Sequence, residues 1–383
     1  MSNNKSHSVY LKDILFRQKG INITAQQMKE LDSANGNIKV FAGGNTTANI
    51  QIDDIPEKYI ITKPSIIVKS RGNIDFDYYE GPFTHKNELW SYSTNSNDVN
   101  LKYIYYILKV NKYSFVNKAK ANSVKLPQLT VGDTDNFEIP LPHIKVQEEI
   151  VKILDSFTNL IDALNEELSL RQKQLEYYRD QLYDDLFKKT KGVDVLCFSE
   201  LGQIERGKRF VRDDIKSYGQ PCIHYGDMYT FYGVKSNKAK TYLDRDFPKK
   251  MRYADIGDVI IVGAGENNWD IGVGLAWLGE EPAAVHDACY IVKHNNNPLF
   301  IAYYTRTTEY HQQLKKCVSE GKICSFSAEG LGKVTIPIPS LAIQQSIVEK
   351  LDAFESLISS LKEEIALRQK QYEYYREKLL TFD

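Results

Sequence analysis

The sequence predicts an α/β (α+β) protein of two globular domains. Each is followed by a long α-helix, and the two helices pair as an antiparallel coiled coil with pseudo-twofold symmetry. Three observations carry that prediction. The dozen RQKQLEYYRDQL at 171–182 returns 197 positions later as RQKQYEYYREKL at 368–379. Both copies sit in stretches whose apolar residues alternate steps of four and three, the spacing of a coiled-coil seam. The segments ahead of those stretches, 1–138 and 190–335, mix strand runs, glycine turns and short helical patterns.

Composition bounds the class. A length of 383 residues suits two to three domains, and 42% hydrophobic with 26% charged residues is the balance of a folded, soluble protein. No apolar run approaches the roughly 18 residues that cross a bilayer. The opening MSNNKSHSVYLKD lacks the apolar core of a signal peptide, so no membrane and a cytoplasmic location are expected. The five cysteines, Cys197, Cys222, Cys289, Cys317 and Cys324, form no CxxC pair and read as free thiols. A formal net charge of −1 excludes nucleic-acid binding by bulk charge and leaves only a local basic face.

Extended at the fixed offset, the repeat aligns 139–182 with 336–379 without a gap, with 24 identities in 44 positions. The predicted spacer helices occupy 139–189 and 336–383. In the first, the seam runs through Leu154, Phe157, Ile161, Leu164, Leu168 and Tyr178; in the second, through Leu351, Phe354, Ile358, Leu361, Ile365 and Tyr375. Arg171 and Arg368 interrupt the stripe at the same slot, and are expected to mark where the helices cross. Pro140, Pro142, Pro337 and Pro339 stand just before the helices, where proline costs no internal hydrogen bond. From Val146 to Phe187 there is neither proline nor glycine, so each helix should run for roughly 40 residues, about 60 Å. A single stripe of this kind suits a homodimerising coiled coil equally well. Two in one chain bury each other most directly.

The duplication reaches into the domains. KPSIIVKSRGN (63–73) corresponds to YADIGDVIIVGAG (253–265), and LKYIYYILK (101–109) to LFIAYYTRT (299–307). Lys125 matches Lys322 at the same offset. The helices are kept and the domains have diverged, so the two modules differ where they would meet a partner.

No catalytic pattern and no metal-ligand set stands out. GAGENN and GVGLAW lack the third glycine of a dinucleotide loop, and HExxH, GxSxG and GK[ST] are absent. His286, Asp287 and Cys289 in VHDACYIV are close in sequence, but a structural role accounts for them better than a nucleophile cluster.

Basic and aromatic residues interleave on loops of the second domain, as contact with phosphates and base edges requires. ERGKRFVR supplies Arg206, Lys208, Arg209 and Arg212, CIHYGDMYTFYG supplies His224 and Tyr225, and PKKMR supplies Lys249, Lys250 and Arg252. In GENNWD, Asn267 and Asn268 carry the amides suited to adenine, and Trp269 offers a ring for a sugar or base. In the first domain the candidates are Asn45, Thr46 and Thr47 of FAGGNTTA, Lys69, Arg71 and Asn73 of VKSRGN, and Lys125. Each of these clusters also reads as a solvated polar loop.

The chain resembles the specificity (S) subunits of type I restriction–modification enzymes. GKRF…QPCIHYGDMYT and IPIPS…QQSIVEKLDAFESLI…LRQKQYEYYR are similar to that family over essentially the whole chain. The resemblance implies that 1–138 and 190–335 are target recognition domains, each reading one half of a bipartite double-stranded DNA target. It implies that the helices set the spacer and dock two methyltransferase (M) subunits. Restriction (R) subunits complete the complex, with S-adenosylmethionine, ATP and Mg2+ on the partner subunits and no cofactor in this chain. Lys125, Gln128, Lys322 and Ser325 lie in loops, KLPQL and KICSF, that depart from the family's pattern. The competing reading is an intracellular two-domain scaffold dimerising through its coiled coil.

Overall fold

The computed structural model describes residues 7–123, 125–188, 192–247, 250–266, 271–319, 321 and 323–382. It divides into two compact units, one of Met1–Asn165 with Glu364–Asp383 and the other of Glu166–Glu363. Each unit therefore holds one globular domain, the first half of one long helix and the second half of the other.

Both units use one topology. In the first, a four-stranded antiparallel sheet runs in the order Phe16–Lys19, Trp90–Ser93, Ser65–Lys69, Asp75–Tyr79. In the second, Gly202–Arg206, Cys289–His294, Val259–Val262 and Gly274–Trp277 occupy the same order, extended by Lys235–Ser236. A smaller sheet accompanies each. It holds a parallel pair, Ile38–Phe41 with Phe83–His85 in one unit and Gln220–Ile223 with Ala283–Val285 in the other. The central strands Ser65–Lys69 and Val259–Val262 are buried along their whole length, which their near-continuous apolar sequences require. The IPLP and IPIP segments are strands of two-stranded ladders, Glu138–Leu141 on His7–Tyr10 and Thr335–Ile338 on Asp194–Cys197. Proline is tolerated there because no second neighbour needs its missing N–H.

A helix caps each main sheet: Leu101–Val110, whose N-cap Asn100 side chain accepts from Lys102 and Tyr103 N–H, and Pro298–Tyr304, capped by Asn297 in the same way. The long helices span Ile144–Lys188 and Leu341–Leu380, 45 and 40 residues. In the first unit Phe157 stacks on Tyr375 with centroids 5.4 Å apart; in the second Tyr178 stacks on Phe354 at 5.5 Å. Since 157 + 375 and 178 + 354 both equal 532, the helices are antiparallel in each unit. The register places Arg368 opposite Leu164 and Arg171 opposite Leu361.

Arg171 and Arg368 keep their charges on their own helices. Neither reaches across the seam. Arg171 bonds Glu167 at 3.2 Å and Gln174 at 3.0 Å, and Arg368 bonds Glu364 at 3.3 Å and Gln371 at 3.0 Å, all along their own helix. The long arginine stem lets the guanidinium leave the apolar stripe for solvent and a helical neighbour, so the heptad slot does not fix where the charge goes.

Candidate nucleic-acid interface

In the second domain, the chain leaves the edge strand Gly202–Arg206 through Gly207, which lies against the carbonyls of Val285 and His286. A Cβ at Gly207 would collide with those backbone oxygens. Lys208 N–H donates to Val285 O at 2.9 Å, and His286 N–H donates to Ile223 O at 3.1 Å. Beside this junction opens a cleft of about 990 Å³, lined by Arg209, Phe210, Arg212, His224, Tyr225, Tyr229, Glu266 and His286 among others. Its floor is a ring cluster. His224 lies 4.7 Å from His286 and 4.6 Å from Tyr225, and Phe210 meets His286 edge-on at 5.1 Å.

Main-chain N–H groups meet both rings. Gly226 N–H donates to Nδ1 of His224, the N-cap of Tyr225–Thr230, and Ala288 N–H donates to Nδ1 of His286. The neutral His224 ring is left with an Nε2–H donor, whereas Nδ1 of His286 also lies 3.2 Å from the Asp287 carboxylate. Burial pushes both imidazoles below their ordinary range, and the Arg212 charge adds to this for His224 and the Arg209 charge for His286. Nearby Asp227 and Asp287 oppose the shift. At neutral pH the floor is therefore uncharged and the positive charge sits on the arginine rim.

The proposed cations sort into two groups. Arg206 donates to Asp287 O, and Arg252 donates to Arg206 O while standing 3.8 Å from Glu205, so both brace the scaffold. Among the described residues, Arg209 and Arg212 pair with no acidic group and line the cleft. Lys208 is exposed, and Lys250 lies on a separate cleft with Arg252 and Lys293. Lys249, Asn267, Asn268, Trp269 and Lys322 lie outside the described residues.

In the first domain Asn45 and Thr46 are exposed on the turn between Ile38–Phe41 and Thr47–Ile50, Thr47 is exposed at the start of the second of these strands, and Arg71, Asn73 and Lys125 are exposed as well. Lys69 corrects its assignment. It is buried on a central strand and ion-pairs with Asp77 at 2.7 Å, so its charge is spent inside the domain. Sequence reasoning missed Arg17, Lys19 and Asn87, which line a cleft of about 410 Å³ beside Gly20. Gly20 repeats the Gly207 junction. It lies against His85 O, Ile21 N–H donates to His85 O at 2.8 Å, and Lys86 N–H donates to Phe41 O at 2.9 Å. Lys86, paired with Glu88 at 3.0 Å, thus stands where the second domain has His286. The signal was present as a glycine pair offset by 207 − 20 = 187, which a search fixed at 197 does not find.

Cys289, at the start of its strand, is wholly buried and its thiol is pushed far up by burial, which removes it as a nucleophile. Among the described residues no group of three His, Cys, Asp or Glu side chains is placed to hold a metal ion, and no helix is long and apolar enough to cross a membrane.

Two modules of one topology, with clefts at matching junctions, define a duplicated two-domain protein. The chain belongs to the type I restriction modification DNA specificity family, whose domain matches twice, at residues 7–171 and 190–367. It is 29% identical to a putative type I restriction enzyme specificity subunit of Haemophilus influenzae, over 94% of this chain and 92% of that one. It is 28% identical to a type I restriction enzyme specificity subunit of Escherichia coli, over 76% and 73%. In fold it is similar to the S subunit of a type I system from M. genitalium, with a TM-score of 0.61, 16% identity and coverage of 100% and 98%. The chain is accordingly a specificity subunit with two recognition domains, and not itself an enzyme.

Proposed function

We propose that this chain is the component of a type I restriction–modification complex that reads a bipartite double-stranded DNA target, with residues 1–138 and 190–335 each reading one half. The observation that carries the reading is the contrast at the glycine junctions. The backbone is the same in both domains, while the side chains beside it are Lys86, Arg17 and Lys19 in one and His286, His224 and Arg209 in the other. A protein that reads two different half-sites needs that combination.

The helices, Ile144–Lys188 and Leu341–Leu380, set the spacer and dock two M subunits, with R subunits completing the complex. Support for two equivalent docking faces comes from exposed apolar residues kept at the 197 offset. Leu170 and Tyr177 are 58% and 62% exposed, and Leu367 and Tyr374 61% and 58%. Side chains of this kind, identical in both helices and free of the seam, suit one partner species bound twice.

Sequencing methylated DNA from cells carrying this chain with its cognate methyltransferase tests the reading. A split motif is expected, and exchanging 190–335 for the same segment of another family member should change one half of it. A change in both halves would overturn the modular assignment.

A further inference from the structure

Each long helix meets its own domain along a face separate from the seam. In the first unit this face is Gln147, Val151 and Asp155; in the second it is Gln344, Val348 and Asp352, again at i, i+4 and i+8. Gln147 is wholly buried. Asn100 N–H donates to its Oε1 at 2.8 Å, and its Nε2 donates to Pro142 O at 2.8 Å and Asp98 O at 3.0 Å. Gln344 repeats this: Asn297 N–H donates to its Oε1 at 2.9 Å, and its Nε2 donates to Pro339 O at 2.9 Å and Asn296 Oδ1 at 3.0 Å.

Two turns further along, Tyr106 O–H donates to Asp155 at 2.5 Å, and Tyr303 O–H donates to Asp352 at 2.7 Å. The other oxygen of each carboxylate accepts from a lysine, Lys102 at 2.8 Å and Lys235 at 2.6 Å. Glutamine, aspartate and tyrosine recur at the 197 offset; the lysines do not. Lys102 comes from the tyrosine-rich helix and Lys235 from an edge strand of the main sheet. The arrangement thus keeps the tyrosine–aspartate contact and lets the neutralising cation come from elsewhere.

We propose that Gln147 with the Tyr106–Asp155 pair, and Gln344 with the Tyr303–Asp352 pair, are positioning residues. They fix the angle at which each recognition domain stands on its helix, and so limit the DNA spacer lengths the complex accepts. The inference rests on the bipartite reading proposed above. Apolar contacts already attach domain to helix through Ile150 and Leu154 in one unit and Ile347 and Leu351 in the other. Such contacts are non-directional and tolerate a small tilt. Two sets of directional hydrogen bonds eight residues apart, about 12 Å along a rigid helix, remove the pivot that a single set would leave.

The test uses Tyr106→Phe and Tyr303→Phe separately, each in the full chain assembled with its cognate methyltransferase subunits. Methylation is measured on duplexes with both half-sites fixed and the spacer lengthened or shortened by one and two base pairs. The expected result is an unchanged motif in both halves, and off-length methylation raised about tenfold relative to the native length, the effect of losing one hydrogen bond to a charged group. Asp155→Asn should act in the same direction as Tyr106→Phe. If methylation falls by the same factor at every spacer, the joint is only structural and the proposal is overturned, while the bipartite reading stands. If the unaltered complex yields no split motif, that reading fails and takes the inference with it.

Discussion

Replacing both Arg209 and Arg212 by alanine should flatten the salt dependence of DNA binding, and replacing Lys69 by methionine should leave it unaltered. The two arginines line the second domain's cleft and pair with no acid among the described residues, whereas Lys69 is buried and bonded to Asp77 at 2.7 Å. Each phosphate neutralised contributes about −0.9 to the slope of log affinity against log salt, so two contribute about −1.8. Between 50 and 200 mM salt, a fourfold change, the unaltered complex should lose about twelvefold more affinity than the double variant. Fluorescence anisotropy on the assembled complex, titrated at several salt concentrations, measures both slopes. Lys69→Met should instead lower the melting temperature, because it leaves Asp77 two-thirds buried without its partner. A double arginine variant with the parental slope, or a Lys69 variant that flattens it equally, would refute the division into rim and scaffold cations.

Cys289→Ser should leave methylation by the assembled complex intact, since the wholly buried thiol with its raised pKa lines neither cleft described in the second domain; loss of methylation in a still-folded protein would restore it as a catalytic candidate. Stability should fall as pH drops below about 6.5, because burial holds His85, His224, His286, His294 and His311 below the value they take when unfolded. In that window the unfolded chain binds more protons, so stability is fully present above it and is lost towards the folded pKa. For His294, lowered to about 4 and with a buried Nε2 lacking a partner among the described residues, the loss amounts to about 3 kcal/mol. Melting curves of His294→Gln at pH 7.5 and 5 should show a smaller acid loss than the parent, and an equal loss would contradict the assignment. Inserting four residues in one long helix adds about 6 Å, close to two base-pair steps, and should change the recognised spacer but neither half-site. An unchanged methylation motif would remove the helices from that role.

The long helices were legible because an apolar period survives in any one segment of sequence. Their second contact face was not. Gln147 and Asp155 look like solvated positions until Asn100 and Tyr106, some fifty residues upstream, are brought to them. Lys69 misled for the same reason: its neutralising Asp77 is on the neighbouring strand, a partner that no local window shows. The seam arginines show the converse limit: a heptad slot fixes the Cα and Cβ but not the tip of a long side chain. Arg17 and Lys19 were passed over because linkers of unequal length shift the match ahead of the sheets from 197 to 187.

That shift also separates what each domain must keep from what it is free to change. At Gly20 and Gly207 the constraint is backbone against backbone, a glycine under a carbonyl oxygen that cannot move aside. The main-chain bonds that follow, from Ile21 to His85 and from Lys208 to Val285, are made whatever the side chains are. The junction is therefore built by atoms that carry no sequence information, and the next side chain, Lys86 or His286, is where the two domains differ. The main-chain bonds of the junction do not depend on that side chain. A recognition domain constructed this way can change what it reads while its helix, its seam and its joint stay as they are.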